Sequence, residues 1–190
     1  PILSLTYLIY IAKYTGSRQQ ARFWLDQAVA LDPHCEYPRM AYMGALEPRW
    51  GGSHSAMRSF AEETAAIGKH PKLSRIVRIL NGRVFWDQGY SRFLRGDYVE
   101  ALRLFEQAIA ESDWSYFLAT RGRLYQRVGQ TELALADLSA ALTRNPHSAD
   151  AYLWRALALL DKRRTDEAIT DLQSAALRGN TYAMTRLGHL

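Results

Sequence analysis

The chain has 190 residues, of which 48% are hydrophobic and 23% charged, a globular composition that excludes an intrinsically disordered segment. Its net charge of +5 comes from 24 basic and 19 acidic residues; the excess is too small to argue for nucleic acid, and such a partner is not expected. The single cysteine, Cys35, excludes an internal disulfide and any cysteine-rich zinc motif.

Residues 2 to 31 read as a first helical hairpin. The apolar run from Ile2 to Ala12 stops at Lys13, short of the roughly twenty residues that span a bilayer, so no membrane span is expected. The expected compartment is the cytoplasm; the start at Pro1 rather than Met leaves a processed or secreted form as the alternative. Gly16 suits a left-handed helix C-cap, Ser17 caps a second helix from Arg18 to Leu31, and Asp32-Pro33 closes it. A short helix over Tyr37 to Leu46 leads into Glu47-Pro48-Arg49-Trp50-Gly51-Gly52-Ser53, the one stretch composed as a deliberate loop. Ser53 then caps a helix to Ile67. Leu73 to Leu94 is the longest helical pattern, with Gly82 and Gly89 marking close helix approaches. Arg95-Gly96-Asp97 makes a turn, and Tyr98 to Glu111 is helical again.

From Leu118 to Ala176 one hairpin is written twice. Gly122, Tyr125, Ala134, Leu138, Ala141 and Pro146 are answered 34 residues later by Ala156, Leu159, Ala168, Leu172, Ala175 and Asn180. A fixed offset of that kind marks a repeat whose unit is one supersecondary element. Small residues early in successive second helices fall at Ala21, Ala56, Ala101, Ala134 and Ala168, at intervals of 35, 45, 33 and 34 residues. The long interval absorbs the lengthened helix from Leu73. The expected organisation is divergent hairpins over residues 1–72 and regular repeats with a C-terminal capping helix, from about Tyr182, over 73–190, in one continuous solenoid. Arg121 and Arg155 recur sixteen residues before Asp137 and Asp171, which predicts structural ion pairs within or between hairpins.

These residues resemble the tetratricopeptide repeat family, whose loose motif places large, small and aromatic residues at fixed positions. Leu118, Gly122, Tyr125, Ala134, Leu138, Ala141 and Pro146 fill it in the best unit. The next unit matches at Tyr152, Ala156, Leu159, Ala168, Leu172 and Ala175, with Asn180 where proline is common. The preceding unit matches at Phe85, Gly89, Ala101, Phe105 and Ala108, with Arg92 in place of the aromatic. The N-terminal part, Pro48 to Ser53 followed by Met57, Phe60 and Ala61, resembles an uncharacterised bacterial domain that often precedes such repeats and carries no known activity. The resemblance implies an all-α, right-handed superhelix of about five hairpins plus a C-terminal helix. It also implies a concave groove lined by positions two, five, nine and twelve of each repeat. Those positions are Arg83, Trp86, Tyr90 and Phe93, then Tyr116, Ala119, Arg123 and Gln126, then Asp150, Leu153, Leu157 and Leu160.

Arg83, Trp86, Tyr90, Phe93, Tyr116 and Arg123 are therefore the candidate partner-binding residues. Aromatic and arginine side chains supply most interface hot spots, so a protein or peptide, captured in the groove, is the expected partner. The five histidines occur singly, without the spacing of a helical metal site. No phosphate-binding loop or nucleophile elbow is present. No catalytic residue, cofactor or metal is expected, and the expected function is a non-enzymatic scaffold. The alternative is a small anionic-ligand or enzymatic site at Arg49, Trp50, Ser53 and His54, at a helix N-terminus. The structural reading of that loop has Trp50 filling the gap between hairpins and Ser53 capping. A third reading, a bacterial inhibitor that neutralises a toxin by wrapping it, differs from the scaffold only in its partner. The oligomeric state has no signature in the sequence.

Overall fold

Long runs of helix formers punctuated by glycine turns fold into helices throughout. The structure, a computed structural model, describes residues 1–189; Leu190, the end of the expected repeat region, lies outside it. Eleven α-helices and no strand occur among the described residues. They are α1 (Ile2–Tyr14), α2 (Arg18–Leu31), α3 (Tyr37–Ala45), α4 (His54–Ala66), α5 (Pro71–Leu94), α6 (Tyr98–Glu111), α7 (Ser115–Arg127), α8 (Thr131–Arg144), α9 (Ala149–Asp161), α10 (Thr165–Leu177) and α11 (Thr181–Leu187). The fold class is that of an all-α helical-hairpin solenoid, with the hairpins α1–α2, α7–α8 and α9–α10 closely packed. The chain forms two compact units, Pro1–Asp87 and Gln88–Leu190, dividing inside α5; the sequence-based boundary at 72/73 falls instead at the start of that helix.

In the first unit, α1 packs on α2 and α3. Ile9, Leu25, Met43, Met57, Leu73, Ile76 and Leu80 form its core. Two helix starts are as expected: Ser17 accepts from the Gln20 amide, and Ser53 accepts from that of Ala56. Each replaces a hydrogen bond that the first helical turn cannot make for itself.

In the second unit each helix from α6 packs on the next, through to α11. Its hairpins depend on one close approach. A Cβ built at Gly122 would stand 2.7 Å from Leu138 Cγ and 3.2 Å from Asp137 Cβ. Glycine, with no side chain, lets α7 lie that near α8; Ala156, with a single methyl, takes the corresponding place one repeat later. Asn180 departs from the repeat pattern for a visible reason. Its side chain accepts from the Ala183 amide at 2.9 Å and donates to Asp150 at 3.0 Å, so it caps α11 and ties it to α9. The expected start of the terminal helix, near Tyr182, is met at Thr181.

The repeated Arg–Asp pairs form inside each hairpin. Arg121 donates to Asp137 through Nε at 2.7 Å and Nη2 at 2.9 Å. Arg155 holds Asp171 with the same two distances. Both carboxylates are buried. Hydrogen bonding to Asp137 raises the Arg121 pKa further above its ordinary range. Two-pronged geometry of this kind fixes the rotation of one helix against the other as well as adding energy.

Removing one partner leaves a guanidinium with no acceptor in a half-buried place. Asp137→Ala should therefore lower stability by about 2–3 kcal/mol, read as a lower thermal midpoint, while partner capture by the folded protein is kept. The turn after α9 carries a second, opposite expectation. Arg163 has φ 57°, a left-handed conformation that its counterpart one repeat earlier, Gly129 at φ 77°, adopts freely. Arg163 is exposed, so Arg163→Gly should raise stability by about 1 kcal/mol; an unchanged or lower thermal midpoint would contradict this.

Candidate functional site

The second unit holds an open cavity of about 730 Å³. The end of α5 supplies Phe93 and, just beyond it, Arg95; α7 supplies Arg123, Gln126 and Arg127; α9 supplies Leu153, Trp154 and Leu157. Tyr98 and Tyr182 complete its rim. Arg123, Gln126 and Arg127 share one face of α7 because they are three and four residues apart. Leu153 is buried, while Leu157 and Leu160 are half-buried against the cluster that includes Ala183 and Leu187 of α11.

Arg123 is the centre of this cavity. Its guanidinium carbon lies 5.1 Å from the Phe93 ring centroid and 5.1 Å from that of Trp154. Two rings thus flank one cation. Among the described residues it has no carboxylate partner, whereas Gln126 is engaged by Asp161 at 2.9 Å and Arg92 by Asp97 at 3.4 Å. No aspartate or glutamate lines the cavity. Arg95 and Arg127 add cationic character, the latter with only a long 3.5 Å contact to the Tyr98 hydroxyl.

The six residues expected in the groove are divided between the two compact units. Phe93 and Arg123 line the cavity, and Tyr90 sits beside it with its ring 6.0 Å from that of Phe93. Tyr116, 37% exposed, packs on Trp114 at 5.5 Å and is not among the cavity's residues. Arg83 and Trp86 belong to the first unit. Arg83 lies over the Trp86 ring at 4.8 Å and donates to Glu47. Trp86 is 1% exposed, so its indole presents no surface to a partner, contrary to its expected place on the concave face. Trp154, Tyr98, Arg127 and Tyr182 were not singled out from the sequence. The missed signal was that a large ring beside position five can reach the arginine at position nine of the preceding repeat.

The Trp50 loop is closed on itself. A short 3-10 turn, Pro48–Trp50, precedes α4. A Cβ at Gly52 would stand 1.9 Å from the Leu46 carbonyl oxygen, so backbone meets backbone there. Glu47, wholly buried, accepts from Arg49 at 2.7 Å and from Arg83. Asp87, buried too, is bonded to His54 Nε2 at 2.8 Å. Burial pushes the Asp87 carboxyl above the ordinary aspartate range, with the His54 hydrogen bond opposing it. The Lys13 ammonium lies 4.9 Å from the centre of the Trp50 ring, and burial lowers its pKa. Trp50 meets Tyr14 edge-on at 5.0 Å. Arg49, Ser53 and His54 are thus directed to Glu47, to the Ala56 amide and to Asp87, and do not converge on one open position. The loop follows the structural reading.

Elsewhere, Cys35 is buried, with Arg39 Nη1 donating to its carbonyl at 2.9 Å and its Sγ at 3.1 Å. Burial pushes the Cys35 thiol up, which makes it a poor nucleophile. His34 and His70 stack at 3.8 Å. Among the described residues no group of three or more His, Cys, Asp or Glu is placed to hold a metal ion, and no helix is long and apolar enough to cross a membrane.

Comparison with known proteins agrees with this architecture. Residues 120–183 match the family model of the tetratricopeptide repeat, and residues 10–72 match that of a domain of unknown function, DUF4034. The structure is similar to the Arabidopsis OM64 TPR domain, with 18% identity over 59% of this chain and 95% of that one, at a TM-score of 0.56. It is similar over 100% of its length to 93% of YrrB, described as a TPR protein with an unusual peptide-binding site, at 14% identity and TM-score 0.56. The first TPR of Spaghetti (RPAP3), bound to the HSP90 peptide SRMEEVD, matches at 21% identity over 58% of this chain and 90% of that one, with TM-score 0.56. At such identities the likeness is one of fold. The duplicated hairpin, its small-residue approaches and the family model matched over residues 120–183 identify that stretch as tetratricopeptide repeats, and the segment ahead of it, residues 10–72, matches DUF4034.

Proposed function

We propose that the chain is a non-enzymatic protein-interaction scaffold that captures a peptide segment bearing an acidic side chain in the cavity around Arg123. The observation that carries this reading is a guanidinium held between two rings with no carboxylate of its own. Ring faces fix the flat sides of Arg123 and strip water from them, leaving its N–H edge for a ligand. A carboxylate meets such an edge through two parallel hydrogen bonds, a match that lysine cannot reproduce. Because the side chain is already ordered, less rotamer freedom is lost on binding. Leu153, Leu157 and Trp154 give an apolar neighbour's side chain a place to bury. Arg95 and Arg127, which form no ion pair among the described residues, favour a negative segment and repel a positive one. The acidic peptide held by the RPAP3 domain is consistent with this chemistry on the same fold. Arg83, Trp86 and Tyr116 are not part of this contact; Tyr90 buttresses Phe93.

The test is selection of a random peptide library against the full chain, followed by anisotropy titration of the enriched sequences. Enrichment of Asp and Glu beside apolar residues is expected. Arg123→Ala should weaken the selected peptides by about 10- to 100-fold with an unchanged thermal midpoint, and Arg123→Lys should recover only a minor part. Peptides without acidic residues, or peptides indifferent to Arg123, would remove the proposal.

A further inference from the structure

Helix α1 departs from what a surface helix normally shows, an apolar inner stripe and a polar outer one. No charged side chain occurs from Pro1 to Ala12, and the residues it buries are Thr6, Ile9 and Ala12. Leu3, Tyr7, Ile11 and Tyr14 are 72%, 73%, 54% and 67% exposed. Their spacing of four, four and three residues draws one continuous apolar stripe along three turns. Lys13, the one cation of the helix, leans over the Tyr14 ring at 5.3 Å and the Trp50 ring at 4.9 Å, and so does not break the stripe.

The same surface also contains hollows. Between α1 and α2 lie two shallow apolar cavities of about 420 and 550 Å³, one on each side of Trp24. Leu5 and Leu31 wall the first, and Leu8 and Phe23 the second. Along α1 their walls are centred about seven residues apart, roughly 10 Å at 1.5 Å per residue. Tyr7 and Tyr14 have that same separation.

We infer that this surface is a homodimer interface, with α1 of a second copy of the chain lying antiparallel in the groove between α1 and α2. A two-fold contact sets one patch against itself, so it requires knobs and hollows on the same surface and no charge that would face its own image. The α1 patch meets both conditions. A partner chosen by charge would gain nothing from it. Exposed aromatic and aliphatic area on the stripe and Phe23 is on the order of 800 Å² per copy, from typical side-chain areas, the amount each partner contributes to a standard stable interface. Monomers rarely leave so large an apolar patch open.

The two-fold axis passes near the middle of α1, which places Tyr7 close to the Tyr7 of the second copy. Sedimentation equilibrium of the full chain, at concentrations up to about 200 µM, should show a reversible dimer. Tyr7→Lys and Tyr7→Glu should each weaken it at least about tenfold. Neither should move the thermal unfolding of the monomer, since Tyr7 is already largely in solvent. Mixing the two variants should restore dimers, because opposite charges then meet across the axis. A wild-type chain that stays monomeric overturns the inference. So does a dimer indifferent to both substitutions, or a monomer that instead adsorbs to phosphatidylcholine vesicles. The Arg123 cavity lies in the other unit, so peptide capture by the Tyr7 variants is expected to be unaltered, and failure of one reading leaves the other standing.

Discussion

The near-contact of two helices at Gly122 is the constraint on which the second unit depends. With Leu138 Cγ 2.7 Å from where a Cβ would stand, α7 and α8 have a single workable rotation and height against each other. That register decides the fate of the two flanking arginines. Successive residues are turned by about 100° on a helix of 3.6 residues per turn, so Arg121 and Arg123 lie on opposite sides of Gly122. Arg121 falls beside α8 and closes on Asp137. Arg123 falls on the side of α9 and meets Trp154. One arginine is consumed by the hairpin; the other is delivered, without a counterion, to a cavity. The packing constraint and the candidate site are consequences of the same glycine.

What the sequence made legible follows from this. A small residue that must face a large one recurs at a fixed offset, so the duplicated hairpin, its Arg–Asp pairs and the terminal helix could all be read from spacing alone. The Asn180 departure could be located but not explained until its two hydrogen bonds were visible. The site was legible only in part. Assigning Arg83, Trp86, Tyr90 and Phe93 to one groove treats the second half of the lengthened α5 as a single repeat helix. The whole of α5 has 24 residues and contributes to both compact units, so its early and late turns answer to different neighbours. Glu47, 36 residues away in sequence from Arg83, claims that arginine, and no periodicity within α5 announces it. Trp154 was missed for a related reason: position rules describe where Cβ points, whereas a large ring reaches well beyond it.

The two units handle charge in opposite ways, and this separates their chemistry. In the first, a buried glutamate gathers Arg49 and Arg83, a buried aspartate takes His54, and Lys13 is laid on aromatic rings. Each of these basic side chains is engaged within the unit. Such a network is costly to bury, and its partners compensate mainly by satisfying one another, so it fixes the Trp50 loop, in which the buried Trp50 Nε1 has no hydrogen-bond partner among the described residues. What remains outside, on α1, is neutral and apolar.

In the second unit not every arginine is matched with an acid. Arg121, Arg155, Arg144 and Arg164 each have a carboxylate, whereas Arg123 has rings. A ring face stabilises a cation less than a carboxylate does, but it leaves the hydrogen-bonding edge unsaturated. Placing Asp or Glu beside Arg123 would have made a stable, inert pair. An arginine held by Phe93 and Trp154 is oriented yet still short of an acceptor. A neutral surface in one unit and an oriented cation in the other select partners by different forces: salt weakens capture at the cation and leaves the apolar contact nearly untouched.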